Sequence, residues 1–317
     1  QGKPGKVLFI GLHGGGAGSG DAGSAAGAMG GGGWWWILPE VLEKTEHGWT
    51  DGGTERFVLE LIEAAKRTAK VDVDRVYITG HSMGGYGTWT LGAHHADVFG
   101  GAAAYAGAPT CIRDRRTREL SIVQPGILPA YFALPLHVFQ SGDDKNVPPE
   151  SNDFAMKAMA EMKAAFPEGY DAYTYDRVDG RGHAPPKEGY LPTLKKLAAV
   201  PRDPRPKHFL WQPVVTWKRQ MYWVYWPRAE EEALVEFRAP GGNRIEIETH
   251  EGSGDVGGMS ILLGEPLVDL SKEVVVTVDG EERFRGTIER TFSTLLMTLP
   301  RNDPRLLFDA RIDLTED

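Results

Sequence analysis

The sequence is poor in cysteine, in long apolar runs and in positive charge. Cys111 is the one cysteine among 317 residues, so neither an intrachain disulfide nor a CxxC redox or metal motif can form. No run of about 18 apolar residues is present, which excludes a membrane-spanning helix of ordinary length. The net charge is −9, and binding to a nucleic-acid backbone needs clustered Lys and Arg. We therefore predict neither a membrane span nor a nucleic-acid partner.

Glycine, in contrast, is abundant near the start, where 12 of the 23 residues from Gly11 to Gly33 are glycine. A segment with so few side chains buries little area and loses much entropy on ordering, so we predict a long loop. Gly18–Gly23 formally matches the G-x-G-x-x-G dinucleotide fingerprint. The match begins six residues after the preceding strand ends, and no clear helix opens on it. We therefore predict no nucleotide cofactor.

In the first part of the chain, apolar runs of strand length alternate with stretches of helical periodicity. Lys6–Leu12 and Arg75–Thr79 are two of these runs. Such alternation predicts a mostly parallel, doubly wound α/β sheet with helices on both faces. The pattern becomes purely β after a proline-rich linker, with a strong hairpin signal at Asp279-Gly280. We predict two domains, an α/β domain at 1–204 and a smaller antiparallel β-sandwich-like domain at 205–317.

The segment Gly80–Gly84 reads G-H-S-M-G and lies directly between a predicted strand and a predicted helix. This is the context in which G-x-S-x-G forms a nucleophile elbow. The sharp turn holds Ser82 in strained backbone geometry, so small residues are needed two positions before and after it. The turn also directs the Met83 N–H and the helix N-terminus at a developing oxyanion. We predict that Ser82 is a nucleophile and that Met83 is an oxyanion donor.

A serine alcohol needs a base to take its proton, and on this framework the partners follow in the order serine, acid, histidine. Of nine histidines, His183 follows the last strand of the predicted α/β domain, in a loop rich in Gly and Pro. We predict that it is the base. The acid is expected in the loop after the strand that ends at Gln140. There the D-x-x-V-P pattern favours Asp144 as the carboxylate that orients the imidazole, and Asp143 remains the alternative.

The residues that follow the first strand are glycine-rich, which lets their backbone approach a bound carbonyl and donate N–H groups. Gly15 is the predicted second oxyanion donor, with Gly14 and Gly16 as the alternatives. Gly14 and Gly16, on either side of it, are predicted to contact the substrate. His13 is a further candidate substrate contact in this loop, and we predict that it holds the loop by hydrogen bonds rather than transferring protons.

Other residues that can carry chemistry receive less specific interpretations. His81, beside the nucleophile, and Trp34 are candidate substrate contacts, although tryptophans more often fill cores and domain interfaces. Cys111 is interpreted as a small residue in a loop that lines the site. His94 and His95 are interpreted as a surface pair, since no further metal ligands accompany them. We predict no metal site.

Four segments carry a resemblance to a known family: LHGGG at 12–16, GHSMGGYGTW at 80–89, SGDDKNVPP at 141–149 and DGRGHAPP at 179–186. Together they resemble the α/β-hydrolase superfamily. Within it they resemble bacterial serine esterases of the dienelactone-hydrolase, feruloyl-esterase and polyhydroxybutyrate-depolymerase kind. The resemblance covers residues 6–200. It implies the α/β-hydrolase fold, a triad of Ser82, Asp144 and His183, no cofactor, and a small-molecule or polymeric ester as substrate.

A serine carboxylic ester hydrolase is the favoured function, and two alternatives stay open. An exo- or oligopeptidase would use the same triad on amides, although no anchor for a peptide terminus is evident. A carbohydrate- or surface-binding module would use the C-terminal part beside an inert hydrolase-like domain. The chain begins at Gln1 rather than Met, and residues 262–280 are similar to domains appended to some bacterial exported hydrolases. We therefore expect a trimmed chain with a secreted or periplasmic location, and the sequence predicts no oligomeric state.

Overall fold

The computed structural model describes residues 6–15, 20–43, 47–252 and 254–315. The chain divides into two compact units, Gln1–Arg202 and Asp203–Asp317. No helix within the described ranges is long and apolar enough to cross a bilayer.

The first unit alternates strands and helices. In chain order its elements are β1 (Leu8–Leu12), α1 (Ala22–Met29), β2 (Trp35–Ile37), α2 (Gly52–Thr68), β3 (Val76–His81), α3 (Met83–His94), β4 (Gly101–Tyr105), β5 (Cys111–Arg113), β6 (Leu120–Val123), β7 (Leu136–Ser141), α4 (Glu150–Ala165), β8 (Tyr173–Val178) and α5 (Leu191–Leu197). Six of the strands form one sheet in the order β2-β1-β3-β4-β7-β8, and every neighbouring pair is parallel. The predicted doubly wound parallel sheet is confirmed.

Alternate residues of the central strands supply the two faces of this sheet. On one face, Phe9 and Tyr77 pack with residues of α1 and α5 in a single apolar cluster. On the other face α3 lies so close that a Cβ on Gly92 would come within 3.3 Å of the Ala102 Cβ. Strands buried on both faces read as continuous apolar runs, which is why the sequence marked them clearly.

The glycine-rich segment is not the long loop that the sequence predicted, because it contains helix α1. Asp21 and Ser24 form a capping box, in which the Asp21 carboxylate accepts the Ser24 N–H at 2.7 Å. Four alanines raise the helix propensity, and Ala25 and Met29 are buried in the apolar cluster. The expectation that no helix opens on the dinucleotide-like match is therefore wrong.

The second unit is built mainly of β-strands. Its elements are β9 (His208–Trp211), β10 (Gln220–Met221), β11 (Val224–Tyr225), β12 (Val235–Gly241), β13 (Arg244–Thr249), β14 (Ser260–Leu263), β15 (Val274–Val278), β16 (Glu281–Gly286), α6 (Phe292–Thr298) and β17 (Ala310–Asp313). The strands form two sheets, in the orders β16-β15-β13-β12-β9 and β10-β11-β14-β17.

Most strand pairs of the second unit are antiparallel as predicted, but β13 and β15 are parallel, because the chain crosses to the other sheet through β14 between them. Phe209, Trp223 and Phe237 pack ring against ring, in the core role predicted for most tryptophans.

His94 and His95 are not the exposed pair that the sequence predicted. Their side chains are 10% and 1% exposed, because both bind the buried carboxylate of Glu55 on α2. His95 Nε2 lies 2.6 Å and His94 Nδ1 3.0 Å from Glu55 Oε1. Burial raises the pKa of Glu55, but hydrogen bonds from the two imidazoles outweigh burial and lower it to about 2. The cluster ties α2 to the end of α3, the helix that begins at the predicted nucleophile.

Replacing Glu55 with Gln is expected to lower the free energy of unfolding by about 2 kcal/mol at neutral pH, because charge-assisted hydrogen bonds to two buried imidazoles are lost. The pKa of Glu55 falls from 4.5 to about 2 on folding. Its contribution is therefore complete above pH 4.5 and is lost as the pH falls towards 2. Urea unfolding of wild type and Glu55→Gln should give a difference that shrinks between neutral pH and about pH 3.5.

Glu60→Gln is the matched control, since Glu60 lies on the same helix but is exposed. It should change the free energy of unfolding by less than about 0.5 kcal/mol. Equal losses in the two variants, or a Glu55→Gln difference that stays constant on acidification, would contradict this account.

Candidate active site

Ser82 lies at a sharp turn between β3 and α3. Its φ of 59° and ψ of −120° are sterically strained for a residue with a side chain. The flanking glycines allow the turn because backbone segments touch there. A Cβ on Gly80 would lie 2.3 Å from the Gly84 oxygen, and a Cβ on Gly84 would lie 2.1 Å from the Leu12 oxygen. Glycine is therefore sterically required on both sides of the serine.

The turn lies where the connections of the sheet diverge. From β1 the chain runs outward to β2 on one side, whereas from β3 it runs outward to β4 and β7 on the other. The loops that leave β1 and β3 therefore separate and leave a crevice, which is where open α/β sheets bind ligands. A Cβ on Gly14 would lie 3.3 Å from the Ser82 Cβ, so the loop after β1 directly faces the serine.

The loop after β1 is fixed by hydrogen bonds of His13. The Nε2 of His13 accepts the Val41 N–H at 3.0 Å, and its Nδ1–H donates to the Gly14 carbonyl at 2.8 Å. The Trp49 indole N–H donates to the His13 carbonyl at 2.9 Å. Both ring nitrogens are engaged, so His13 has a structural role in this loop. Gly15 follows with a φ of 91°, which glycine adopts without strain, and lines the crevice.

His183 and Asp144 meet although 39 residues separate them. The Nδ1–H of His183 donates to Asp144 Oδ2 at 2.8 Å, and the Asp144 side chain is fully buried. The other carboxylate oxygen accepts the backbone N–H groups of Asn146 and Val147 at 2.9 and 3.0 Å. This arrangement fixes the tautomer of His183 that carries its lone pair on Nε2.

Asp143, the alternative acid, binds the backbone of the histidine loop and not the imidazole. Its Oδ1 accepts the N–H groups of Gly180 at 3.1 Å and Gly182 at 3.0 Å, as well as the Ser141 hydroxyl. These hydrogen bonds, above all the one from Ser141, lower the pKa of Asp143 to about 2. Consecutive aspartates thus have different partners: Asp144 holds the imidazole, and Asp143 holds the loop that carries it.

His81 packs its ring against that of His183, with centroids 4.8 Å apart. Burial, and then the nearby charge of His183, lower the pKa of His81 to about 4. The imidazole of His81 is therefore neutral at pH 7 and adds no positive charge beside His183. Within the described part of the chain, its Nε2 is buried without a hydrogen-bond partner.

A cavity of about 540 Å³ brings most of the predicted site residues together. Trp34 does not line it and packs against Phe9 in the core, with ring centroids 4.6 Å apart. Gly16 lies outside the described residues, as do Gly18 and Ser19 of the dinucleotide-like match. Met83 is the first residue of α3. The predicted residues that line the cavity are Ser82, His183, His81, His13, Gly14 and Gly15.

Seven further lining residues were missed by the sequence analysis. Asn146 follows the predicted acid closely, and Tyr190 follows the predicted base, so position within those two loops was the available signal. The other five belong to α1 or precede it, and the Asp-x-x-Ser capping pattern at the start of an alanine-rich segment was their signal. The seven are Gly20, Ser24, Ala25, Ala28, Met29, Asn146 and Tyr190.

One group in the second unit has ligand types suited to a metal ion. Glu236, Glu248 and His250 bring one potential ligand atom each within 4.8 Å of the others. Arg238 binds both glutamates, with its Nη1 3.1 Å from Glu236 Oε1 and its Nη2 on Glu248 Oε1. The guanidinium already supplies the positive charge that a cation would bring, so these residues fit an ion-pair network.

The groups in and around the crevice are of the kinds that nucleophilic acyl transfer uses. They are an alcohol at a strained turn, an imidazole oriented by a buried carboxylate, and backbone N–H groups at a helix start and in a glycine loop. Among the described residues the Ser82 hydroxyl makes no hydrogen bond to His183. Such bonds are often long in free enzymes and shorten when substrate binds.

The segment that contains Ser82 matches the model of a peptidase family, and part of the chain is similar to a depolymerase. The prolyl oligopeptidase family matches residues 46–123. Poly(3-hydroxyalkanoate) depolymerase C of Paucimonas lemoignei is 33% identical over 70 residues, which make up 22% of this chain and only 17% of that protein.

Solved structures of similar fold include two esterases. A thermostable esterase is 21% identical, with 62% of this chain and 55% of that chain covered and a TM-score of 0.46. A phospholipase/carboxylesterase from Dyadobacter fermentans is 15% identical, with 60% of this chain and 88% of that chain covered and a TM-score of 0.43.

Gly20→Ala is expected to disturb the loop that faces Ser82. Gly20 has a φ of +77°, and an added Cβ would lie 2.3 Å from the Gly14 oxygen, so Gly14 and Gly15 must shift. Labelling of Ser82 by a fluorophosphonate should slow by about tenfold or more, since a misplacement of about 1 Å can cost that much or more.

Gly23→Ala is the matched control for this change. Gly23 lies in α1, and the nearest atom to an added Cβ is Asp21 Oδ1 at 3.4 Å. The variant should label at the wild-type rate, and its melting temperature should rise, because alanine favours helix over glycine by up to about 1 kcal/mol. Equal labelling rates in the two variants would show that the packing of Gly20 on Gly14 does not position the loop that faces Ser82.

Proposed function

We propose that this serine hydrolase of the α/β-hydrolase fold cleaves carboxylic esters through an acyl-enzyme intermediate. The observation that carries the proposal is the hydrogen bond between His183 and the buried Asp144 at a cavity that also contains Ser82. We assign this chemistry to a catalytic domain at 1–204, with 205–317 as an accessory β domain.

In the proposed mechanism the Ser82 hydroxyl attacks the ester carbonyl while His183 Nε2 takes its proton. Asp144 stabilises the imidazolium that forms and remains ionised. The oxyanion of the tetrahedral intermediate accepts the N–H groups of Met83 and Gly15, and each such donor contributes about 10²–10³ in turnover. His183 then protonates the leaving alcohol, and a water repeats the same steps to release the acid.

Esters are favoured over short peptides because no Lys, Arg, Asp or Glu lines the described cavity. An exopeptidase has to pair the charged terminus of its substrate, because desolvating an unpaired charge costs several kcal/mol. The match to the prolyl oligopeptidase family keeps cleavage of internal peptide bonds as the second candidate, and the depolymerase similarity supports a polyester as one substrate besides small esters.

Wild-type protein should hydrolyse p-nitrophenyl butyrate, and Ser82→Ala should lower kcat by about 10³-fold or more, since the nucleophile is removed while binding remains. Turnover of a blocked peptide p-nitroanilide by the same preparation should be slower than that of the ester. Faster amide cleavage would establish the peptidase alternative, and an active Ser82→Ala variant would refute the nucleophile.

Asp144→Asn should lower kcat on the same ester by about 10³–10⁴-fold, because an amide no longer fixes the reactive tautomer of the histidine. Asp143→Asn is the matched control, since its remaining oxygen still accepts the N–H groups of the histidine loop. It should lose less than about tenfold. A larger loss in Asp143→Asn than in Asp144→Asn would reverse the assignment of the acid.

A further inference from the structure

We propose that one face of helix α1 is the wall of the acyl-binding pocket and selects esters whose acyl group is uncharged, apolar and longer than acetyl. The inference rests on the proposed esterase function and assigns a substrate class to the same cavity. The residues of this wall are Ser24, Ala25, Ala28 and Met29.

These four residues form two neighbouring pairs on the helix, Ser24 with Ala28 and Ala25 with Met29, and residues four positions apart lie on the same side of a helix. All four line the cavity that contains Ser82. Ser24 and Ala28 are exposed at the cavity, whereas Ala26 is exposed and does not line it. The helix therefore presents one face to the substrate cavity and another to solvent.

The wall is fixed in place at both ends. At its start the Asp21 carboxylate accepts the Ser24 N–H, and Glu40 Oε2 accepts the Ala22 N–H at 3.3 Å. Ala25 and Met29 are 4% and 5% exposed and belong to the apolar cluster of the sheet. The helix therefore cannot move away from the cavity without losing these contacts.

The position of α1 assigns it to the acyl side of the ester. Gly20, which comes just before the cap of α1, packs on the backbone of Gly14, beside the proposed oxyanion donor Gly15. The carbonyl oxygen must point at these N–H groups, so the acyl chain attached to that carbonyl extends along α1. The leaving alcohol must instead face His183, which protonates it.

The chemistry of the wall fits an uncharged chain. Its side chains are two alanine methyls, a flexible thioether and one hydroxyl, and the Ser24 hydroxyl is already bonded to Asp21. Methionine adapts to apolar groups of different shape. A cavity of about 540 Å³ lies within the usual range of small-molecule sites, about 300–1,000 Å³, and far exceeds the volume of an acetyl group.

Ala28→Phe adds a bulky side chain on the cavity side of α1 and tests the proposal. The ratio of kcat/KM for p-nitrophenyl octanoate to that for p-nitrophenyl acetate should fall by about tenfold or more relative to wild type, because each excluded methylene removes binding worth tenfold or more. Ala26→Phe adds the same side chain to the solvent face and should leave the ratio within about twofold. Circular dichroism and melting temperature establish that both variants fold.

A second measurement separates this proposal from the esterase function. Labelling rates of Ser82 with methyl and octyl fluorophosphonates report on the pocket without ester turnover. Ala28→Phe should slow the octyl reagent selectively, even if no ester proves to be a substrate. Unchanged ratios of octyl to methyl reactivity in Ala28→Phe, or equal changes in Ala28→Phe and Ala26→Phe, would refute the proposal that this face of α1 is the wall of the acyl-binding pocket. Selectivity that follows the alcohol in a series of alkyl acetates would overturn its assignment to the acyl group.

Discussion

The close approach of the turn at Ser82 and the loop after β1 is the constraint on which the rest of the site depends. The strained turn places the oxygen of Leu12 against Gly84 and brings Gly14 against the serine. Only residues without a Cβ permit these contacts. Because the turn and the loop after β1 touch directly, the proposed nucleophile and the proposed oxyanion donors keep a fixed separation, and acyl transfer depends on such separations to within about 1 Å.

The two aspartates in the loop after β7 each have defined hydrogen-bond partners. Both oxygens of Asp144 are occupied, one by backbone N–H groups and one by His183, and Asp143 holds the backbone around Gly180 and Gly182. A loop rich in glycine has high conformational entropy, and these hydrogen bonds restrict it. The position of the imidazole is thus set by carboxylates on a neighbouring loop, and His81, neutral at pH 7, packs on its ring.

The sequence was informative where local patterns are strong. Buried parallel strands appear as apolar runs, and the strand–G-x-S-x-G–helix pattern predicted the turn at Ser82. Prediction from the sequence failed for α1, because a high glycine content hid a capping box and an alanine-rich helix. It also failed for His94 and His95, whose buried partner Glu55 lies about 40 residues earlier in the chain. No local pattern reveals a partner brought in by the packing of two helices.

By itself the sequence determined the sheet, the strained turn and a short set of candidate residues, because glycine sterics and apolar periodicity act over a few neighbouring residues. Tertiary structure decided which aspartate meets His183, which residues form the cavity wall and which histidines are buried. Those outcomes depend on the direction in which side chains leave their loops and on contacts between distant segments. Asp143 and Asp144 are adjacent and chemically identical, and only the folded loops give them different partners.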